Sequence, residues 1–246
     1  MVGDKTYNLS ALADRLFFEK RLLPLAHKIR RARDLHSLSA DLAMAIESLD
    51  ALEAVEVEMK NPKAPDDLAK IITQSALLNN AVVLYARATK TTSKKRGGYD
   101  LWSRFSEEEK VTHKELTDLR DEAIAHFGTG GSYRGEWQAE LVILQSRGEE
   151  TKPGVTTRRK TLDRDLVQRA RKQIQMAHDH LRELAIKKLD KVTAELNKTL
   201  SKEPEFYKEV RQHPLNLDIF LASPDAGEKA RSSMVRGFAK GCVRHA

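Results

Sequence analysis

Arg120, Asp121 and His126 fall in one short segment, Leu119-Arg120-Asp121-Glu122-Ala123-Ile124-Ala125-His126-Phe127-Gly128, with five residues between the arginine and the histidine. Each residue type brings a distinct capacity. A guanidinium offers a planar fork of donors to a phosphate, and an imidazole takes or gives a proton near neutral pH. Together they suit acid–base chemistry at a phosphodiester without a metal ion. On an ideal α-helix six steps advance the histidine about 9 Å and turn it about 120° from the arginine, so the two border one another without touching. A phosphate held by the guanidinium would then lie near the imidazole, and Asp121 is expected either to orient one of these partners or to pair with a neighbouring helix instead.

The chemistry requires a helix under these residues, and the sequence supplies its start. Ser106-Glu107-Glu108-Glu109 is a capping box, with negative charge where the helix dipole favours it. Leu116, Leu119, Ala123 and Phe127 continue one apolar face, and Gly128, Gly130 and Gly131 supply a stop. Upstream, apolar spacing predicts helical structure from Leu9 to about Arg33, kinked or divided at Pro24. A second helix is predicted from Ser37 or Ser39 to before Asn61, and a third from Pro65 to Thr89. The run from Thr91 to Phe105, with its glycine pair, reads as a loop.

Downstream, Trp137 to Leu144 has strand character and is expected to pair with Val155-Thr156-Thr157 across a turn containing Pro153-Gly154. A long helix is predicted from Asp163 to about Leu200, with Leu166, Ala170, Ile174, Ala177, Leu181, Ala185 and Leu189 on one face. Pro204, Pro214 and Pro224 punctuate the remainder, whose poor periodicity leaves it unassigned apart from short helical stretches near Tyr207–Val210 and Ala230–Phe238. The expected fold is therefore mainly α, with a small β-hairpin insertion and a long C-terminal helix. Residues 1–130 are expected to form a helical bundle. Residues 131–246 are expected to hold the hairpin, the long helix completing or extending the bundle, and an irregular tail.

The net charge of +7 and pI of about 9.4 favour an anionic partner such as nucleic acid. Three basic clusters are candidate contacts to an RNA backbone: Lys28, Arg30, Arg31 and Arg33; Lys94, Lys95 and Arg96; and Arg158, Arg159 and Lys160 with Arg164 downstream. The middle one stands beside Tyr99 and Trp102, which are able to stack on bases. Solvated surface is the alternative reading of each cluster. Cys242 is the only cysteine, which excludes an intrachain disulfide and a multi-thiolate zinc site and fits a reducing cytoplasm. No apolar run approaches the roughly 20 residues that cross a bilayer, and the N-terminus lacks an apolar signal core, so no membrane partner is expected.

Other combinations carry less. His178 and His180 point about 160° apart on a helix and are poorly placed to share an ion. His113 lies about two turns before Arg120 on nearly the same face, where packing explains it as well as catalysis does. Gly128-Thr129-Gly130-Gly131 lacks the lysine and the strand-to-helix setting of a phosphate loop.

The segment resembles the signature of the HEPN superfamily: an arginine, an adjacent polar residue, and a histidine after four to six residues, matched here by Arg120, Asp121 and His126. The Ala-His-Phe ending and His113-Lys114-Glu115-Leu116 look like the branch that includes bacterial abortive-infection proteins. The resemblance covers mainly residues 65 to 128 and implies a HEPN-like helical bundle. It also implies a metal-independent endoribonuclease or toxin-like effector that needs no cofactor. In that family, paired motifs face one another across a homodimer and cleave RNA by attack of the 2′-hydroxyl. Arg120 and His126 would then be catalytic and Asp121 an orienting residue, with an antitoxin or a nucleotidyltransferase as a cognate partner. A different reading makes Arg120 an interhelical ion-pair residue and His126 a helix-end residue of a noncatalytic dimerisation or docking module. A third has the basic clusters alone bind nucleic acid.

Overall fold

The computed structural model describes residues 6–59, 68–90, 96–124, 138–147, 150–159 and 162–237. Among these residues the chain is mainly α-helical, with a small antiparallel hairpin and a long helix after it, as the patterning predicts. In order come α1 (Leu9–Phe18), α2 (Leu23–Met59) and α3 (Leu68–Thr89), then a 3-10 turn at Trp102–Arg104. They are followed by α4 (Glu107–Asp118), a π-helical turn (Leu119–Ile124), β1 (Gln138–Arg147) and β2 (Glu150–Arg159). The chain continues through α5 (Arg164–Lys202), α6 (Phe206–Arg211), α7 (Leu217–Phe220) and α8 (Pro224–Gly237). No helix among the described residues is long and apolar enough to cross a membrane.

Several boundaries differ from those predicted. The first helical region does divide, but at residues 19–22, where Lys20 and Leu22 take φ of 55° and 42°. Pro24 sits in the first turn of α2, where its missing N–H costs no helical bond. No break follows near Ser37 or Ser39. Leu35, Leu38, Leu42, Ala45, Leu49 and Leu52 are buried at spacings of three and four straight across the serines. Continuous burial outweighs the preference of serine for a cap.

In the hairpin, Val142 faces Val155 and Gln138 faces Arg159, and the strands are longer than predicted. Pro153 and Gly154 lie within β2, opposite Leu144 and Ile143, rather than in the turn. Each strand of a two-stranded sheet is an edge strand, the setting in which proline is tolerated. The C-terminal remainder forms α6, α7 and α8. α6 spans the stretch expected near Tyr207–Val210 and α8 overlaps the one expected near Ala230–Phe238, while α7, a single turn, is placed by its cap, with Asn216 Oδ1 accepting from the amides of Asp218 and Ile219 at 3.0 and 3.3 Å.

Packing divides the chain into two compact units, Met1–His36 with Arg182–Ala246, and Ser37–Leu181. The first has a continuous apolar core of Leu12 and Leu16 from α1, Leu25 and Ile29 from α2, Leu196 and Leu200 from α5, and Phe206 and Val210 from α6. Each such side chain contributes roughly 1.5–3 kcal/mol on full burial. Its N-terminal segment is tied down by backbone bonds from Asn8 to the His213 carbonyl at 2.7 Å and from Leu215 to the Thr6 carbonyl at 2.8 Å.

The second unit buries Leu42 and Leu49 of α2, Leu78, Val82 and Tyr85 of α3, Leu101 and Phe105 of the loop, Leu116 of α4, and Ile174 and Leu181 of α5. Here α3 packs on α4 and on the π-helical turn. The buried carboxylate of Asp41 accepts from Arg87 Nε at 2.9 Å and Nη2 at 2.5 Å, and from Arg96 Nη1 at 2.6 Å. Arg96 also donates to the Arg87 carbonyl at 2.8 Å, so the loop after α3 is fastened back onto α2 and α3.

Candidate functional site

The helix under the candidate site begins as its sequence predicts. Ser106 Oγ accepts from the Glu109 amide at 3.2 Å, and the Ser106 amide donates to Glu109 Oε2 at 2.8 Å. Three glutamates fill the first turn. Toward the other end, the Thr117 hydroxyl donates to the carbonyls of His113 and Lys114, both at 3.0 Å. Such back-bonding perturbs a helix. Directly after Asp118 the α-helix gives way to the wider π-helical turn of Leu119–Ile124. Arg120 and Asp121 therefore stand on π-helical backbone, a rare geometry that recurs at functional positions. The ideal α-helical spacing between Arg120 and His126 does not apply from Leu119 to Ile124, and His126 lies outside the described residues.

Asp121 is the centre of a three-residue cluster. Arg120 Nη1 donates to its Oδ1 at 2.7 Å, and Lys90 Nζ, just beyond the end of α3, donates to its Oδ2 at 2.6 Å. The side chains of Lys90, Arg120 and Asp121 are 50%, 37% and 33% exposed, so a ligand can reach all three. Lys90, and after it Arg120, hold the Asp121 carboxyl below the usual carboxylate range, against the opposing effect of burial. Asp121 is thus ionised near neutral pH, and the cluster carries one net positive charge.

His113 occupies a more enclosed place on α4. Its Nδ1 lies 2.8 Å from the Tyr85 hydroxyl, and its ring packs against Tyr85, Trp102 and Phe105 with centroids 5.7, 5.6 and 5.3 Å away. Gln173 Nε2 donates to the Tyr85 oxygen at 3.1 Å, which leaves the phenolic O–H able to donate to His113 Nδ1 when the neutral imidazole carries its proton on Nε2. Burial first, and then the charge of Lys90, lower the His113 pKa, with Asp118 opposing. Burial pushes the Tyr85 phenol far up, so it remains a donor. Lys90 therefore acts electrostatically on both His113 and Asp121. Sequence reasoning named His113 but missed Lys90, whose 31-residue separation from Asp121 leaves no local pattern to find.

Arg96 belongs to the Asp41 network and also donates to Ser37 Oγ at 3.3 Å. Arg158 and Arg159 lie on β2 opposite Ala139 and Gln138. Lys94, Lys95, Lys160 and Cys242 lie outside the described residues. In the first basic cluster, Lys28 pairs with Glu195, Arg30 with Asp14 at 2.8 Å, and Arg33 with Asp34 at 3.4 Å. His178 and His180 take separate partners, Asp179 at 3.3 Å and the Tyr99 hydroxyl at 3.4 Å. No set of three metal-ligating side chains meets among the described residues.

The chain matches no protein-family model, no curated protein and no solved structure.

Proposed function

We propose that the chain is a metal-independent endoribonuclease or toxin-like effector of HEPN type, with Arg120 and His126 acting at a composite site across a homodimer and RNA as substrate. One observation carries the reading: Arg120 is cationic, open to solvent and steadied by an ionised Asp121 on a π-helical turn at the end of a capped helix. Arg120 would donate to the nonbridging oxygens of a phosphodiester and to the charge that builds on them as the 2′-hydroxyl attacks phosphorus. His126 would exchange the proton that leaves the 2′-hydroxyl or joins the departing 5′-oxygen. Asp121 would orient Arg120. A cytoplasmic location and an antitoxin or nucleotidyltransferase partner belong to the same reading.

The test is cleavage of single-stranded RNA by the intact chain and by Arg120→Ala and His126→Ala. Each substitution should lower the rate at least a hundredfold while helical content and self-association stay as in the parent. Parental rates in both variants would overturn the mechanism.

A noncatalytic docking module has one observation in its favour, the exposed apolar face formed by Val142 and Val155, which are paired across the hairpin, and by Leu144. On that reading no cleavage occurs at any protein concentration, and Val142→Lys disrupts self-association or partner docking.

A further inference from the structure

We propose that Lys90 and Arg120 form a two-cation clamp for a single phosphodiester group, with Asp121 as the bridge that holds the cations side by side. The argument begins with the donor inventory. A lysine ammonium has three donors and a guanidinium five. Lys90 spends one on Asp121 Oδ2 and Arg120 spends one on Asp121 Oδ1, at 2.6 and 2.7 Å. Donors remain on both, and both side chains are open to solvent.

Asp121 also sets the spacing. Its two oxygens each take one cation, so Lys90 and Arg120 flank one carboxylate and are held at a separation that two oxygens of one anion can bridge. A phosphodiester likewise presents two nonbridging oxygens from one centre. Bound beside Asp121, it would accept from Lys90 at one oxygen and from Arg120 at the other. The carboxylate prevents the two cations from repelling one another apart while leaving one net positive charge to attract the phosphate. The clamp joins the end of α3 to the π-helical turn, two elements that pack together. Lys90 is thus a phosphate-binding residue contributed from outside the segment that carries Arg120 and His126.

This inference rests on the reading of Arg120 as a phosphate ligand, and its test separates the two. The affinity of the intact chain for a single-stranded RNA oligonucleotide would be measured over a range of salt concentrations for the parent, Lys90→Gln, Lys90→Arg and Arg120→Gln, alongside the cleavage assay. Lys90→Gln should bind about tenfold more weakly, with the slope of log affinity against log salt reduced by about 0.7 for the one lost phosphate contact on a single strand. Lys90→Arg should restore both affinity and slope, a rescue that packing alone would not give. Lys90→Gln with parental affinity and slope overturns the clamp, as does an intact chain that binds no RNA. Cleavage that depends on Arg120 and His126 but is indifferent to Lys90 overturns the clamp and leaves the ribonuclease standing. RNA binding that depends on Lys90 and Arg120 without any cleavage supports the clamp and removes the ribonuclease.

Discussion

The Tyr85 hydroxyl and His113 Nδ1 lie 2.8 Å apart, joining the C-terminal part of α3 to α4, and Gln173 of α5 donates to the same hydroxyl at 3.1 Å. Three helices thus share one hydrogen-bonded chain, with the Gln173 amide at its buried end. Tyr85→Phe would strand the His113 nitrogen and the Gln173 amide at little change in shape. A buried group left without its partner costs about 1–3 kcal/mol. Urea denaturation should show a loss of that size, with the denaturant slope unchanged.

His113 also makes stability depend on pH. Its pKa in the fold lies below the ordinary 6.5, so the unfolded chain binds the proton more readily. The stabilising contribution of the neutral ring is complete above pH 6.5 and is lost as pH falls from there through the folded value. His113→Gln keeps an acceptor for Tyr85 and has no such proton to bind. The stability difference between parent and variant, measured by denaturation from pH 8 downward, should therefore move against the parent below about pH 6.5. A difference independent of pH would refute this.

Asp41 predicts a loss of stability at still lower pH. Burial raises its pKa, but the bonds from Arg87 and then Arg96 outweigh burial and hold it below its ordinary 3.8. Its ion pairs stabilise the fold fully above that value and fail as pH falls through the lower folded value. Asp41→Asn should cost about 2–3 kcal/mol at neutral pH, less than a fully buried pair because the Arg87 side chain is half-exposed, and should flatten the acid limb of the stability curve.

Gly227 offers a test of close packing. A helical glycine replaced by alanine ordinarily gains up to about 1 kcal/mol. Here an added Cβ would stand 1.9 Å from Asp218 Oδ1 and 3.1 Å from the Asp218 Cα. The carboxylate would have to leave its 2.9 Å pairing with Arg231. Gly227→Ala should instead destabilise by about 1 kcal/mol or more and speed amide exchange in α7 and α8.

Lys20 tests the opposite case. It holds φ of 55° in the turn between α1 and α2, is exposed, and donates its amide to the Phe17 carbonyl at 3.2 Å. Lys20→Gly keeps that bond and removes the penalty on a side chain in left-handed backbone. Thermal unfolding should show a gain of about 0.5–1 kcal/mol.

Features carried by neighbouring residues were legible without coordinates. The capping box at Ser106 and Glu109, the long face of α5 and the pairing of Val142 with residues near Val155 all depend on local bonding or on a period of a few residues. The continuity of α2 was less legible, because Ser37 and Ser39 read as caps until buried leucines are seen on both sides of them. Of the C-terminal helices, α6 and α8 overlap the stretches expected near Tyr207–Val210 and Ala230–Phe238, whereas α7 spans a single turn and has no period to read.

At the candidate site, the sequence by itself determined that Arg120 and Asp121 stand together near the end of a helix, because adjacency and capping are properties of the local chain. It did not contain the widening of that helix at Leu119, the capture of Arg96 by Asp41, or the meeting of Lys90 with Asp121. The last two were decided by which helix faces pack together. Ion pairs and hydrogen bonds act over a few ångströms of space, whatever the distance along the chain.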